Sequence, residues 1–181
     1  MEQNRSLYEN LLGDAWVRVA ERVRLFHCRG LGFVAHGIFR IVRPERWLGR
    51  LLAFVLRLPP ASDAAALRLH VVPLEGGEKW SRDFAGRILS TTQHCDARGL
   101  MVERFTGVEF KFRITEREAG IDYTQATAGL AFWALRIPLP RWLAPHVTAR
   151  EEAVGDAVRV EVKVTLPWAG LLIAYDGQLS I

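Results

Sequence analysis

From Leu67 to the end of the chain, apolar and polar side chains alternate with a period of two, and a short turn interrupts the pattern about every ten residues. Successive residues of a strand point to opposite faces, so this pattern describes strands with one face for a core and one for water. Val108, Phe110, Phe112 and Ile114 alternate with Glu109, Lys111, Arg113 and Thr115. Val158, Val160, Val162, Val164 and Leu166 alternate in the same way with Arg159, Glu161, Lys163 and Thr165. Leu67, Leu69 and Val71 make a third set. Turn residues stand at Pro73–Gly77, Ala85-Gly86, Asp96–Gly99, Glu118–Gly120, Gly155-Asp156 and Pro167–Gly170. Connections this short join antiparallel neighbours, and a meander of about eight strands tends to curl. The pattern therefore predicts a barrel or half-barrel.

Helical spacing is confined to the first third. Ser6-Leu7-Tyr8-Glu9 reads as a capping box, followed by Leu7, Leu11, Ala15, Val19, Val23 and Phe26 on one face. This predicts a helix over about 6–28. A strand follows over about 31–42, whose Gly32 and Gly37 suggest a bulge or strong curvature. Pro44 then opens a second helix that ends at Pro59-Pro60, about 44–58. The fold class is thus α+β, a single domain over 1–181 with its antiparallel sheet at about 67–180. Ile121 to Ile137 reads as one bent strand or two short ones around Gly129. The connector Ile137 to Pro145, with three prolines, must leave the sheet or run along an edge.

With 50% hydrophobic and 24% charged residues, the chain has the profile of a globular protein. The net charge is +4, but only three of 24 basic residues are lysines and the arginines are scattered singly, which argues against nucleic-acid binding. Cys28 and Cys95 suit free thiols in a reducing compartment. No signal-like start and no apolar run near ~20 residues are present, so a cytoplasmic location is expected.

Two charges break the alternation. Trp80, Arg82 and Phe84 share one face of a strand, and Met101, Glu103 and Phe105 share one face of another. An unpaired buried ion is costly, so Arg82 and Glu103 are expected to meet across the sheet or to line one cavity. The plainer alternative is an arginine whose stem covers apolar surface while its head stays wet. The second helix carries Arg43, Arg46, Arg50 and Arg57 beside Trp47, Leu51 and Val55. Such a helix can lie on an anionic membrane, contacting it through Arg43, Arg46, Trp47 and Arg50, but more commonly packs its apolar side onto its own sheet. Arg40–Leu48 and Arg136–Leu143 share a local pattern, each placing a tryptophan after a proline, as if turned back onto the sheet.

No metal, cofactor or catalytic residue is assigned. His27-Cys28 and His94-Cys95 lack the short-spaced pairing of zinc ligands, and neighbours on a strand point apart. There is no phosphate loop or nucleophile elbow. Asp122-Tyr123 and Tyr175-Asp176 read as surface or turn residues rather than acid–base pairs.

The segments SLYENLLG, GGEKWSRDFAGRILS, GLMVERFTGVEFKF, IPLPRWLAPHVTAREE and LPWAGLLIAYDGQL, in this order, resemble bacterial domain-of-unknown-function family 4166 from about Ser6 to Leu179. Positions matching that pattern include Trp80, Arg82, Phe84, Gly86, Glu103, Arg104, Phe105, Pro140, Pro145, Glu151 and Tyr175. Ala85 stands where a second glycine is usual, and Thr106 precedes Gly107 as an insertion. The resemblance implies no activity; it implies that such domains stand alone or follow a nucleotide-dependent oxidoreductase domain. The expected function is a non-catalytic binding domain for a small apolar or lipid-like ligand at Trp80, Arg82, Phe84, Met101, Glu103 and Phe105. The alternative is an accessory domain docking on an oxidoreductase partner by its Trp47 or Trp142 corner.

Overall fold

Strands with one apolar face can hide it by rolling the sheet until its edges meet, and this chain does so. The computed structural model describes residues 5–28, 32–132 and 135–181. Its strands are β1 (Phe33–Val42), β2 (Ser62–Leu74), β3 (Gly77–Phe84), β4 (Arg87–Cys95), β5 (Met101–Phe105), β6 (Val108–Arg117), β7 (Gly120–Phe132), β8 (Leu135–Pro138), β9 (His146–Val154), β10 (Ala157–Leu166) and β11 (Gly170–Ser180). All pairings are antiparallel. Each strand up to β8 pairs with the next, β7 pairs also with β9, the pairing resumes through β10 and β11, and β11 returns to β1. Ten strands close a barrel, and β8 is an extra strand on the free length of β7. The meander is therefore longer than the eight strands expected, and ten of its strands close fully, which leaves them no edge that invites aggregation; β8 keeps an open one.

Closure rests on two glycines. Gly37 faces Leu179 and Gly177 faces Phe39 across the β1–β11 seam. A Cβ at Gly177 would stand 2.3 Å from the Ile38 carbonyl oxygen and 2.5 Å from the Phe39 ring, so only glycine admits this approach. β1 also has a bulge between Phe39 and Ile41. Three hairpins turn on two residues with φ > 0, at Ala85-Gly86, Thr106-Gly107 and Glu118-Ala119. Two such residues match the right-handed twist of paired strands. Thr106 thus fills a tight turn rather than disrupting it.

The predicted first helix is broken into α1 (Leu7–Leu12), a 3₁₀ turn (Gly13–Arg18) and α2 (Glu21–His27). Ser6 caps α1 through the Glu9 amide, but Gly13 takes φ 52° and ends it after six residues. The break lets one apolar stripe wrap across the barrel end: α1 packs on β4 and β6, and α2 on β9 and β10. Leu7, Tyr8, Trp16, Val19, Val23 and Phe26 are buried there and form the floor. The predicted first strand begins two residues later than expected, and Leu31 lies outside the described residues. The second helix, α3 (Trp47–Val55), starts three residues later than expected because Pro44 packs against Gly49 without joining the helix. It bridges β1 to β2 at the opposite end, the rim. β2 starts at Ser62, before the alternation expected from Leu67. The Ile121–Ile137 segment is a hairpin of β7 and β8, with Gly129 paired inside it to Pro138, an edge position consistent with the missing amide.

Candidate functional site

Strand alternation sends Leu67 and Leu69 of β2, Val160, Val162 and Val164 of β10, and Leu172 of β11 into the barrel. They do not fill it. A cavity of about 180 Å³ remains between the helical floor and the rim, many times the ~10–15 Å³ that admits one water. It is smaller than the ~300–1,000 Å³ of drug-sized sites, with room for no more than a small or slender molecule. From the rim, Leu56 and Leu58 reach into it, and Pro145 and Val147 close it on the β9 side.

Its floor is polar. Of the six residues expected to share a site, Trp80, Arg82, Glu103 and Phe105 line the cavity, whereas Phe84 and Met101 are buried outside its lining. Phe84 instead packs edge-on against Phe39 and Tyr175. Arg82 and Glu103 meet across the barrel wall: Arg82 Nη2 stands 3.7 Å from Glu103 Oε1 and Arg82 Nη1 donates to Thr91 Oγ1 at 3.0 Å. The guanidinium also lies 5.3 Å from the centre of the Trp80 ring. Burial by itself would lower the basicity of Arg82, but Tyr175 and Glu103 beside it leave it raised, so the group stays charged.

A second set continues from the first. Gln93 Nε2 donates to Glu103 Oε1 at 3.2 Å, and the Tyr8 hydroxyl donates to Gln93 Oε1 at 3.0 Å. Tyr123 Oη lies 3.0 Å from Tyr8 Oη and 2.7 Å from Glu151 Oε1, and Glu151 Oε2 is 2.5 Å from His27 Nε2. Burial would raise the Glu151 carboxyl, but the His27 charge and hydrogen bond, the Tyr123 hydroxyl and the Arg82 charge outweigh it and hold it below its ordinary value. Burial and the Glu151 charge push the Tyr8 and Tyr123 phenols well up, so both remain proton donors. Two phenolic protons thus serve three contacts between oxygens. With Glu151 ionised, Tyr123 donates to it, and the one Tyr8 proton must choose between Tyr123 and Gln93. The chain is one proton short, and the shortfall sits at Tyr8.

Tyr175 completes the patch. Tyr175 lines the cavity, its hydroxyl makes no hydrogen bond among the described residues, and burial raises its pKa, so it keeps its proton. Reading Asp122-Tyr123 and Tyr175-Asp176 as surface pairs is therefore half wrong: the tyrosines point inward, while Asp122 and Asp176 pair with Arg150 and Arg159 on the outer wall. Period two already separates each tyrosine from its neighbour, and that signal was available. Tyr8 and His27 could not be assigned in this way, because only the folding of the helical floor brings them to Tyr123 of β7 and Glu151 of β9, whereas Gln93 sits on β4 beside Glu103 of β5. His94 is partly buried and Cys95 exposed, and Cys28 and Cys95 are both free. Among the described residues no cluster of potential metal ligands occurs.

A closed up-and-down β-barrel, floored by helices and holding an apolar chamber with a charged, hydrogen-bonded patch, is the class that fold and site define. The chain belongs to the family described as a domain of unknown function (DUF4166), whose model matches residues 19–179. The match begins after α1, later than the Ser6 expected, so Tyr8 lies outside it while the other patch residues lie within. No curated protein and no solved structure matches the chain.

Proposed function

We propose that the barrel is a non-catalytic binding domain for one small, slender apolar molecule carrying a hydrogen-bonding group. The observation that supports this best is the chamber itself: Val160, Val162 and Val164 face unfilled space, although a protein interior is normally packed to crystal-like density. The polar floor suits one end of such a guest. Tyr175 offers a free hydroxyl, and Arg82 retains donors beyond those used by Thr91 and Glu103. Charge is already compensated there, with Arg82 beside Glu103 and with Glu151 beyond. A carboxylate guest would add a further negative charge, so a neutral head such as an alcohol fits better.

Native mass spectrometry of freshly purified protein, followed by calorimetric titration with 1-octanol, tests this reading. Saturable one-to-one binding is expected, and Val162→Trp, which fills the chamber from β10, should abolish it while leaving the β-sheet circular dichroism intact. Absence of binding by octanol, octylamine and octanoate alike would remove the proposal.

A further inference from the structure

The outer surface of the rim carries a feature that the interior does not explain. Trp47, Leu51, Phe54 and Val55 recur at helical spacing on α3, and this face is turned to solvent: Trp47 is 74%, Phe54 78% and Val55 66% exposed. Packing of the apolar side of α3 onto its own sheet, the commoner arrangement for such a helix, is thus limited to the buried Gly49 and Ala53 and the half-buried Leu52. The following residues, Leu56 and Leu58, turn into the chamber, so adjacent positions of one segment face the solvent and the interior.

Two more tryptophans extend the same arc. Gly49 packs against the Leu171 carbonyl, which places α3 beside the β10–β11 turn and its half-exposed Trp168. The neighbouring strand, β9, is entered through Trp142, 69% exposed. Neither Trp47 nor Trp142 turns back onto the sheet as their shared local pattern suggests. The same segments carry Arg46, Arg50, Arg57 and Arg141, all exposed and without an ion pair among the described residues, and one carboxylate, Glu45; the nearby Asp63 of β2 is taken up by Arg40. Arg43 is spent otherwise, donating to the Pro59 carbonyl and clasping the two ends of the α3 segment.

We propose that this arc of the rim docks on an anionic lipid surface. Tryptophan and arginine together match the boundary between acyl chains and anionic headgroups, where the rings bury and the guanidinium groups pair with phosphate. A second copy of the chain does not fit, because it would set four unpaired arginines against four more. An uncharged protein groove would leave the arginines without partners. The surface stands apart from the chamber and does not depend on what the chamber holds.

Flotation with vesicles of phosphatidylcholine containing 30% phosphatidylglycerol, and with phosphatidylcholine alone, is the test. Binding to the anionic vesicles only, weakened by salt, is expected, together with quenching of tryptophan fluorescence by brominated lipid. R46E with R50E should weaken binding roughly a hundredfold. W47S with F54S should weaken both flotation and quenching, with the remaining quenching carried by Trp142 and Trp168, and both variants should keep the parent melting temperature and octanol binding because these side chains are exposed. No flotation, flotation indifferent to both variants, or a concentration-dependent dimer or protein complex that hides these tryptophans would overturn the inference.

Discussion

Tyr8 and Tyr123 are two phenols 3.0 Å apart in the same buried patch, yet their worth to the fold differs. Tyr123 donates to the buried Glu151 carboxylate, a bond of the charge-assisted kind, and Tyr123→Phe would strip that carboxylate of a donor. Tyr8 donates to the neutral Gln93 Oε1, while its contact with Tyr123 goes without a proton, so less is lost with its hydroxyl. Tyr123→Phe is expected to cost about 1.5–3 kcal/mol and Tyr8→Phe about 1 kcal/mol or less in urea unfolding. Equal losses would argue against the assigned direction of the chain. Asp96 presents a simpler titration. The Lys111 hydrogen bond at 2.8 Å, with the Leu100 and Arg98 amides, holds it at about 2. Its folded value lies below its unfolded value, so the stability it contributes is present above pH ~4 and disappears as pH falls towards 2. Asp96→Asn should therefore flatten the acid limb of a melting-temperature profile over that window.

The elements differ in how firmly local sequence determines them. The strands follow from alternation and turn chemistry, and the positive-φ pairs fix the register of three hairpins. The β1–β11 seam joins residues far apart in sequence, and its register is set by glycine. Gly177→Ala would drive a methyl group into the Phe39 ring and the Ile38 carbonyl. It is expected to cost about 1–3 kcal/mol or more in chemical unfolding. Because the clash is confined to the seam, hydrogen exchange should rise first in β1 and β11, with the β3–β6 amides still protected. The broken N-terminal helix is the opposite case. Its period was legible from Leu7 to Phe26, but a single rod of that length could not follow the curved mouth it covers.

For the whole molecule, the closed wall and the charge already inside it set the chemistry of any guest. Arg82 has Glu103 at 3.7 Å, and Glu151 of the same floor has His27 at 2.5 Å, so both carboxylates already have basic partners and a further anion has none. In an octyl series, titration calorimetry should rank the alcohol above the carboxylate. Glu103→Gln, which leaves Arg82 without its carboxylate, should reverse that order. Among the described residues no helix is long and apolar enough to cross a membrane, and the exposed aromatic arc at the rim is confined to one end of the barrel.

The sequence by itself determined the strands, their inward faces, most turns and the inward direction of Arg82 and Glu103, because a period of two is a local property and an inward charge interrupts it visibly. Tertiary structure alone decided that the sheet closes, that space remains within it, that Tyr8 and His27 join Tyr123 and Glu151, and that α3 turns its apolar face outward. Each of these depends on distances between segments remote along the chain. No window of neighbouring residues records whether two such segments meet, how much room they leave, or which side of a helix finds a partner.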